Sequence, residues 1–199
     1  MIFIQNRNIV LASGSPRRKE YLLRYGLKFK ILTGNVEETV KQGEDPVCFT
    51  ERMAVEKANV IIDQCSSHDI IISADTIVLF NDRVLGKPEG AESVFPMLLE
   101  LNGKSHEVIT SYTIIDCENR KNIQRTTRSQ VLFNKLPEKV LKAYSKTQDP
   151  LDKAGGYSIQ GPGTFLVHSI NGSYNNVVGL PVEILLMDLL EHKFIAVQD

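Results

Sequence analysis

Apolar and polar positions shift between two periods along the chain. NIVLA (Asn8–Ala12) is a short apolar run that ends at Ser13 and Gly14, the pattern of a strand running into a loop. Ser15 and Pro16 then predict a helix start, with Ser as N-cap and Pro as first helical residue, reaching about Tyr25 before Gly26 stops it. KFKILTG returns as a strand, and the polar NVEETVKQGED reads as a loop. Asp45 and Pro46 open a second helix to about Cys65, with Ala54, Ala58, Ile61, Ile62 and Cys65 on one stripe. DIIISADTIVLF is apolar almost throughout and predicts a buried strand, turned by NDR and followed by VLGKP. A third helix is predicted over roughly Ala91–Leu101, where Pro96 is expected to kink it or delay its regular part. HEVITSYTIIDC and IQRTTRSQVLFNKL read as two long strands joined near Glu118–Lys121. Leu136-Pro137 opens a fourth helix to about Ser145. DKAGGYSIQGPGTFLVHSING is Gly-rich and then strand-like, and GLPVEILLMDLLEHKF is an amphipathic helix. Alternating strands and helices, interrupted by a long strand pair, predict an α/β fold with a mixed sheet. With no internal repeat, low-complexity tract or linker, residues 1–199 are expected to form a single domain, with room for two lobes.

Composition narrows the function classes. Hydrophobic residues make up 42% and charged residues 24%, ordinary for a soluble globular protein. The formal charge is −1, so no global basic field favours nucleic acid or an anionic membrane, and any anion site must be built locally. Cys48, Cys65 and Cys117 lack metal or redox spacing and are expected to be reduced, mostly buried thiols of a cytoplasmic protein. MIFIQNRNIVLAS has no basic segment followed by a long apolar core, so no signal peptide is expected. No apolar run approaches the roughly 20 residues that span a bilayer. The sequon Asn171-Gly172-Ser173 is expected to be a turn.

Several residues break local rules. Arg17 and Arg18 occupy the first turn of a helix, whose N-terminus carries partial positive charge and favours acids. Either they are solvated surface arginines, or they and the free N–H groups receive a polyanion such as a phosphate chain. The segment lacks the P-loop pattern. Asp75 interrupts a buried strand, where a carboxylate needs a structural partner or a function, and Thr76 faces the other side of a regular strand. Glu37 and Glu38 are either solvated loop acids or, if the loop folds toward Asp75, part of its site. Lys57, beside the apolar stripe, is a snorkelling lysine or a site residue. Lys87, between Gly86 and Pro88, is a plain turn lysine or a constrained cation. Gly155 and Gly156 permit close backbone approach to a ligand, Tyr157 offers a stacking face, and Gln160 can read a base edge through its amide; the same segment also reads as a plain Gly-rich hairpin. His68, His106, His168 and His192 lack zinc spacing and are taken as structural. The inventory of cations, carboxylates and a flexible pocket fits a nucleoside triphosphate, which carries about four negative charges and is normally partnered by Mg²⁺.

Taken in order, LASGSPRRKEYL, VEE, ERMAVEKA, SADTIV, GKP, SHEVIT, DKAGGYSIQG and VVGLP resemble the Maf family of nucleotide pyrophosphatases over nearly the whole chain. The resemblance implies an inosine-triphosphatase-like (Maf/Ham1) fold, two α/β lobes around a long mixed sheet with a central cleft. It implies metal-dependent hydrolysis of nucleoside triphosphates to the monophosphate and pyrophosphate, with Mg²⁺ or Mn²⁺ as cofactor. A cytoplasmic homodimer is expected, with no nucleic-acid or membrane partner, and a link to arrest of septum formation. Position by position, Asp75 matches the proton acceptor, Glu38 the acidic residue at the metal, shared with Asp75, and Lys57 and Lys87 the catalytic lysines of the phosphate cleft. Ser15, Arg17 and Arg18 match substrate-binding positions, and Arg17, Thr76 and Gln160 the specificity positions. Arg17, Asp75-Thr76 and YSIQG side with the subgroup acting on dTTP and UTP. A subgroup resembling 7-methylguanosine triphosphate hydrolases has an aromatic residue in place of the first arginine, and Asp-Gln. Two rivals stand beside this reading: a nucleotide-sensing division regulator without turnover, and a phosphatase cleaving at the γ-position.

Overall fold

The computed structural model describes residues 2–198. Its elements in chain order are β1 (Phe3–Gln5), β2 (Asn8–Leu11), α1 (Pro16–Arg24), β3 (Phe29–Ile31), α2 (Pro46–Asn59), β4 (Asp69–Phe80), β5 (Arg83–Leu85), α3 (Ala91–Leu101), β6 (Ser105–Asp116), β7 (Asn122–Phe133), α4 (Glu138–Tyr144), β8 (Val167–Asn171), α5 (Tyr174–Val178), α6 (Val182–Glu191) and β9 (Ile195–Val197). The chain divides into two compact units. One holds the residues up to Asp75, Thr110–Thr126 and the chain from Gly179 onward; the other holds Thr76–Ile109 and Thr127–Val178. Strands β4, β6 and β7 contribute residues to both.

In the first unit the strands run in the order β3-β2-β4-β6-β7. β2 pairs in parallel with both β3 and β4, Leu11 lying opposite Ile31 and Ile72. A parallel strand covered on both faces reads as a continuous apolar run, and β4 is buried at every position from Asp69 to Asp75. Ala58 of α2 and Ile61 just beyond its end cover it, packing with Val10, Ala12, Ile71 and Ile115 in one core cluster. β1 and β9 form a separate antiparallel pair, with Phe3 opposite Val197.

In the second unit, Asn81 and Asp82 both adopt positive φ, 48° and 58°. That is the geometry of a two-residue type I′ turn, and it folds β5 back on β4 with Phe80 opposite Arg83. The core gathers Val78 and Phe80 of β4, Val94, Leu98 and Leu101 of α3, Val131 and Phe133 of β7, and Leu141 of α4. β8 closes the strand order by pairing antiparallel with β7. Among the described residues no helix is long and apolar enough to cross a membrane.

Several element boundaries differ from the sequence reading. α2 stops at Asn59 and a separate 3-10 turn follows at Ile62–Gln64. The β-branched run Val60-Ile61-Ile62 crowds a helical backbone and favours the break. β3 takes only Phe29–Ile31 of KFKILTG. α6 does not reach Phe194; the chain beyond it pairs as β9. The short α5 has no counterpart in the sequence reading. Pro96 sits inside α3, which still spans Ala91–Leu101. Cys48 is exposed rather than buried, and Cys65 and Cys117 are half-buried; all three are free thiols.

Candidate functional site

The first unit builds its charged cluster from three segments. Ser73 and Asp75 lie two apart on β4 and therefore on one face. Ala54 and Lys57 lie about one turn apart on α2. The Ser73 hydroxyl donates to the Ala54 carbonyl, and the Lys57 ammonium donates to Asp75 Oδ1 at 2.6 Å. The fully buried Ala54 lets the helix approach the strand closely enough for both bonds. The polar loop after β3 supplies the third segment: Lys57 Nζ also lies 2.8 Å from Glu38 Oε1. Lys57 thus joins the buried Asp75 to the loop acid. Its side chain is 18% exposed against 45% for Glu38, a half-buried cation held between two carboxylates.

Arg18 converges on the same cluster. Its Nε donates to the Gly179 carbonyl at 2.8 Å, and its Nη1 to the Ala74 carbonyl at 2.7 Å and to Ser13 Oγ at 3.1 Å. Burial lowers its pKa to about 10; Asp75 and Glu38 oppose the shift, and Arg17 adds to it. Arg18 still carries its charge at neutral pH, close enough to feel all three neighbours. Much of its donor fork is spent bracing the backbone beside Asp75, a use that the sequence reading does not foresee. Ser15 is the N-cap residue of α1, yet its side chain makes no cap hydrogen bond, and no acid occupies the first turn. The leading N–H groups of α1 therefore have no side-chain cap acceptor from Ser15, beside two arginines. Glu38, Lys57, Asp75, Arg17 and Arg18 sum to three positive and two negative charges, a local excess of one cation.

The remaining sequence-predicted residues belong to the second unit. Thr76 follows Asp75 in β4, is half-buried, and points to the opposite face by alternation. Lys87 is exposed in the turn after β5. The neighbouring Gly86 carbonyl accepts a hydrogen bond from Gly155 N at 3.0 Å, so the GKP and AGGY segments are tied together. Gly155 has φ 70°, and a Cβ there would come within 3.0 Å of Val78. Gln160 is half-buried, with its carbonyl 2.6 Å from Ser158 Oγ. Tyr157 does not offer a stacking face. It is buried, its hydroxyl lies 2.8 Å from His106 Nε2, and its ring packs edge-on against His106 and Phe133 at centroid distances of 5.3 and 4.7 Å. Burial lowers His106 to about 4, so this pair is neutral at physiological pH. His106 is structural, as its spacing suggests.

Whether Glu38 and Asp75 suit a divalent cation turns on their donor chemistry. Among the described residues no group of three or more His, Cys, Asp and Glu side chains could hold a metal. Two hard carboxylates that already share one ammonium suit Mg²⁺ or Mn²⁺, which bind through one or two carboxylates completed by substrate phosphates and water.

Comparison with known proteins places the chain in a family. A "dTTP/UTP pyrophosphatase" of Bacillus cereus (strain AH820) is 43% identical over 183 residues, covering 92% of this chain and 94% of the relative. Another protein of that name, from Alkaliphilus oremlandii (strain OhILAs), is 39% identical over 186 residues, covering 94% and 96%. The structure of the Staphylococcus aureus Ham1 protein superposes with a TM-score of 0.51 at 13% identity, over 94% of this chain and all of that one, a likeness of fold alone. The family described as Maf-like protein matches residues 8–193. With a family match over most of the chain and close relatives aligned nearly end to end, this protein belongs to the Maf-like family.

Proposed function

We propose that the chain hydrolyses nucleoside triphosphates, dTTP and UTP foremost, to the monophosphate and pyrophosphate. The observation that carries the reading is Lys57, bonded at once to the buried Asp75 and to Glu38, with Arg18 in their field. The names of the relatives at 39–43% identity support the substrate class.

Each residue then has a role set by its chemistry. Asp75, low in water contact and held by Lys57 at one oxygen, orients and deprotonates a water for attack at the α-phosphorus. Lys57, Arg17 and Arg18 offset charge that builds on the departing pyrophosphate, with Lys87 in the same role. Ser15 and the N–H groups at the start of α1 receive phosphate oxygens. Thr76 and Gln160 read the pyrimidine. Glu38 and Asp75 would hold Mg²⁺ or Mn²⁺, which when bound neutralises phosphate charge and polarises phosphoryl oxygens.

One product assay tests the reading: incubation with the common triphosphates and either metal, with separate detection of pyrophosphate and orthophosphate. Pyrophosphate from dTTP and UTP is the expected product. Orthophosphate alone would point to cleavage at the γ-position, and binding without product to a nucleotide sensor. Removing a well-placed electrostatic or proton-accepting group costs about 100- to 1000-fold in turnover. Asp75→Asn should therefore nearly abolish pyrophosphate release with unchanged circular dichroism; a variant that retains most activity removes Asp75 from the mechanism.

A further inference from the structure

The Gly-rich segment of the second unit carries a buried polar clasp that the reaction chemistry does not require. Asp149 Oδ2 accepts from the Tyr144 hydroxyl at 2.6 Å and from Ser158 Oγ at 2.5 Å. Ser158 N donates back to the Tyr144 hydroxyl at 3.2 Å. Ser158 Oγ also lies 2.6 Å from the Gln160 carbonyl oxygen, so one hydroxyl hydrogen is shared between two acceptors, Asp149 and Gln160. Lys153 donates to the Asp149 carbonyl and lies 3.5 Å from Asp149 Oδ1, closing the ring from the other side. Ser158 is only 4% exposed. Space at the clasp is exhausted. A Cβ on Gly163 would come 2.5 Å from the Ser158 carbonyl oxygen, 2.6 Å from the Tyr144 hydroxyl and 2.8 Å from Ser158 Oγ.

A surface loop has no need of three partners around one carboxylate. Their common product is a fixed peptide at Gln160, two residues beyond Ser158 and three before Gly163. We propose that Asp149 is a positioning residue for Gln160: acting through Ser158, it fixes the Gln160 backbone and so aims the side-chain amide at the nucleotide base. The inference rests on the reading of Gln160 as the residue that reads the base. Asp149 touches no substrate, and its effect falls on discrimination. Gly163 is required because any side chain there would open the clasp.

The test uses the full chain carrying Ser158→Ala, Asp149→Ala, Asp149→Asn or Gln160→Ala. Two quantities are read: backbone amide exchange of residues 158–164, and kcat and KM for dTTP against dCTP. Ser158→Ala and Asp149→Ala should speed exchange in that segment. They should also lower dTTP selectivity by about threefold to tenfold, less than a whole hydrogen bond to a carboxylate is worth because the effect reaches the base only through Gln160, chiefly through KM. Asp149→Asn keeps an acceptor for Tyr144 and Ser158 and should restore both quantities toward the parent. Should Asp149→Ala not fold, Ser158→Ala carries both measurements. Unchanged exchange in Ser158→Ala overturns the positioning role whatever Gln160 does. Faster exchange with parental selectivity, while Gln160→Ala blurs selectivity, also overturns it. Parental selectivity in Gln160→Ala would instead overturn the base-reading role, and exchange alone would then decide whether the clasp positions the segment.

Discussion

Asp75 is a carboxylate seven residues into an apolar strand, and burial of an unpaired charge there would cost several kcal/mol. Lys57 resolves that cost for Asp75 and is itself half-buried, which makes the pair sensitive to the loss of the lysine above all. Truncating one partner of a buried ion pair typically costs about 3–5 kcal/mol, because the survivor stays buried and charged. Lys57→Met should lose stability on that scale in equilibrium urea unfolding, and Lys57→Met/Asp75→Asn should recover most of it. A Lys57→Met loss no larger than that of a surface lysine would mean that Asp75 finds compensation elsewhere. Arg18 shows a second residue-scale point. Sequence spacing suggests two equivalent phosphate-binding forks in Arg17 and Arg18, but Arg18 spends donors on the Ala74 and Gly179 carbonyls. A planar guanidinium can brace backbone and still present charge; a lysine ammonium cannot fork in this way.

At the scale of elements, close approach sets the architecture. α2 reaches β4 through Ala54 and Ala58, both fully buried, and this brings Lys57 within reach of Asp75. In the second unit, Gly155 packs against Val78 of β4 while its φ is 70°. A side chain there meets two penalties, the left-handed backbone and the Val78 contact; the first alone costs roughly 1–2 kcal/mol. Gly155→Ala should lower the thermal midpoint accordingly, and adding Val78→Ala should not rescue it, since the backbone term remains and a core methyl pair is lost. Gly14→Ala, where nothing lies within 4 Å of the added atom and φ is not left-handed, is the control and should leave the midpoint near the parent. An equal shift in both variants would refute the account of Gly155.

For the whole molecule, a net charge of −1 supplies no long-range field, so the cation excess around Asp75 acts at short range. Acid is the more informative probe of the molecule. The His106 pKa falls from an ordinary 6.5 to about 4 through burial, so the unfolded chain binds the extra proton first. Its contribution to stability is complete above pH 6.5 and is lost as pH falls toward 4. Burial works to raise Asp149 and Asp188, but hydrogen bonds outweigh it, from Ser158 and Tyr144 at Asp149 and from Arg125 and Tyr112 at Asp188, and both are lowered. Their contribution is present above the ordinary 3.8 and disappears below it. Thermal midpoints measured against pH should decline in two stages, and His106→Gln should flatten the first while leaving the second. A single stage that His106→Gln does not alter would contradict the assignment.

The sequence by itself determined what depends on near neighbours. Periodicity placed α3 at Ala91–Leu101 and the two long strands around their turn, and NDR marked a turn after β4, though not the strand β5 that follows it. A buried acid in an apolar run and cations at the wrong end of a helix marked Asp75, Arg17 and Arg18 as residues in need of an explanation. Helix and strand periods arise within one turn or one pleat, so a local window contains them. Only the tertiary structure decided the partners. β1 and β9, three residues each and from opposite ends of the chain, are too short to carry a pattern. Tyr157 reads as an open ring in the sequence and is a core residue in the fold, because its exposure depends on where His106 and Phe133 arrive. Lys57 could be a surface lysine or a site cation until the β3–α2 loop and β4 brought Glu38 and Asp75 to the same nitrogen. Burial and charge pairing are properties of contacts between distant segments, and those contacts exist only once the chain has packed.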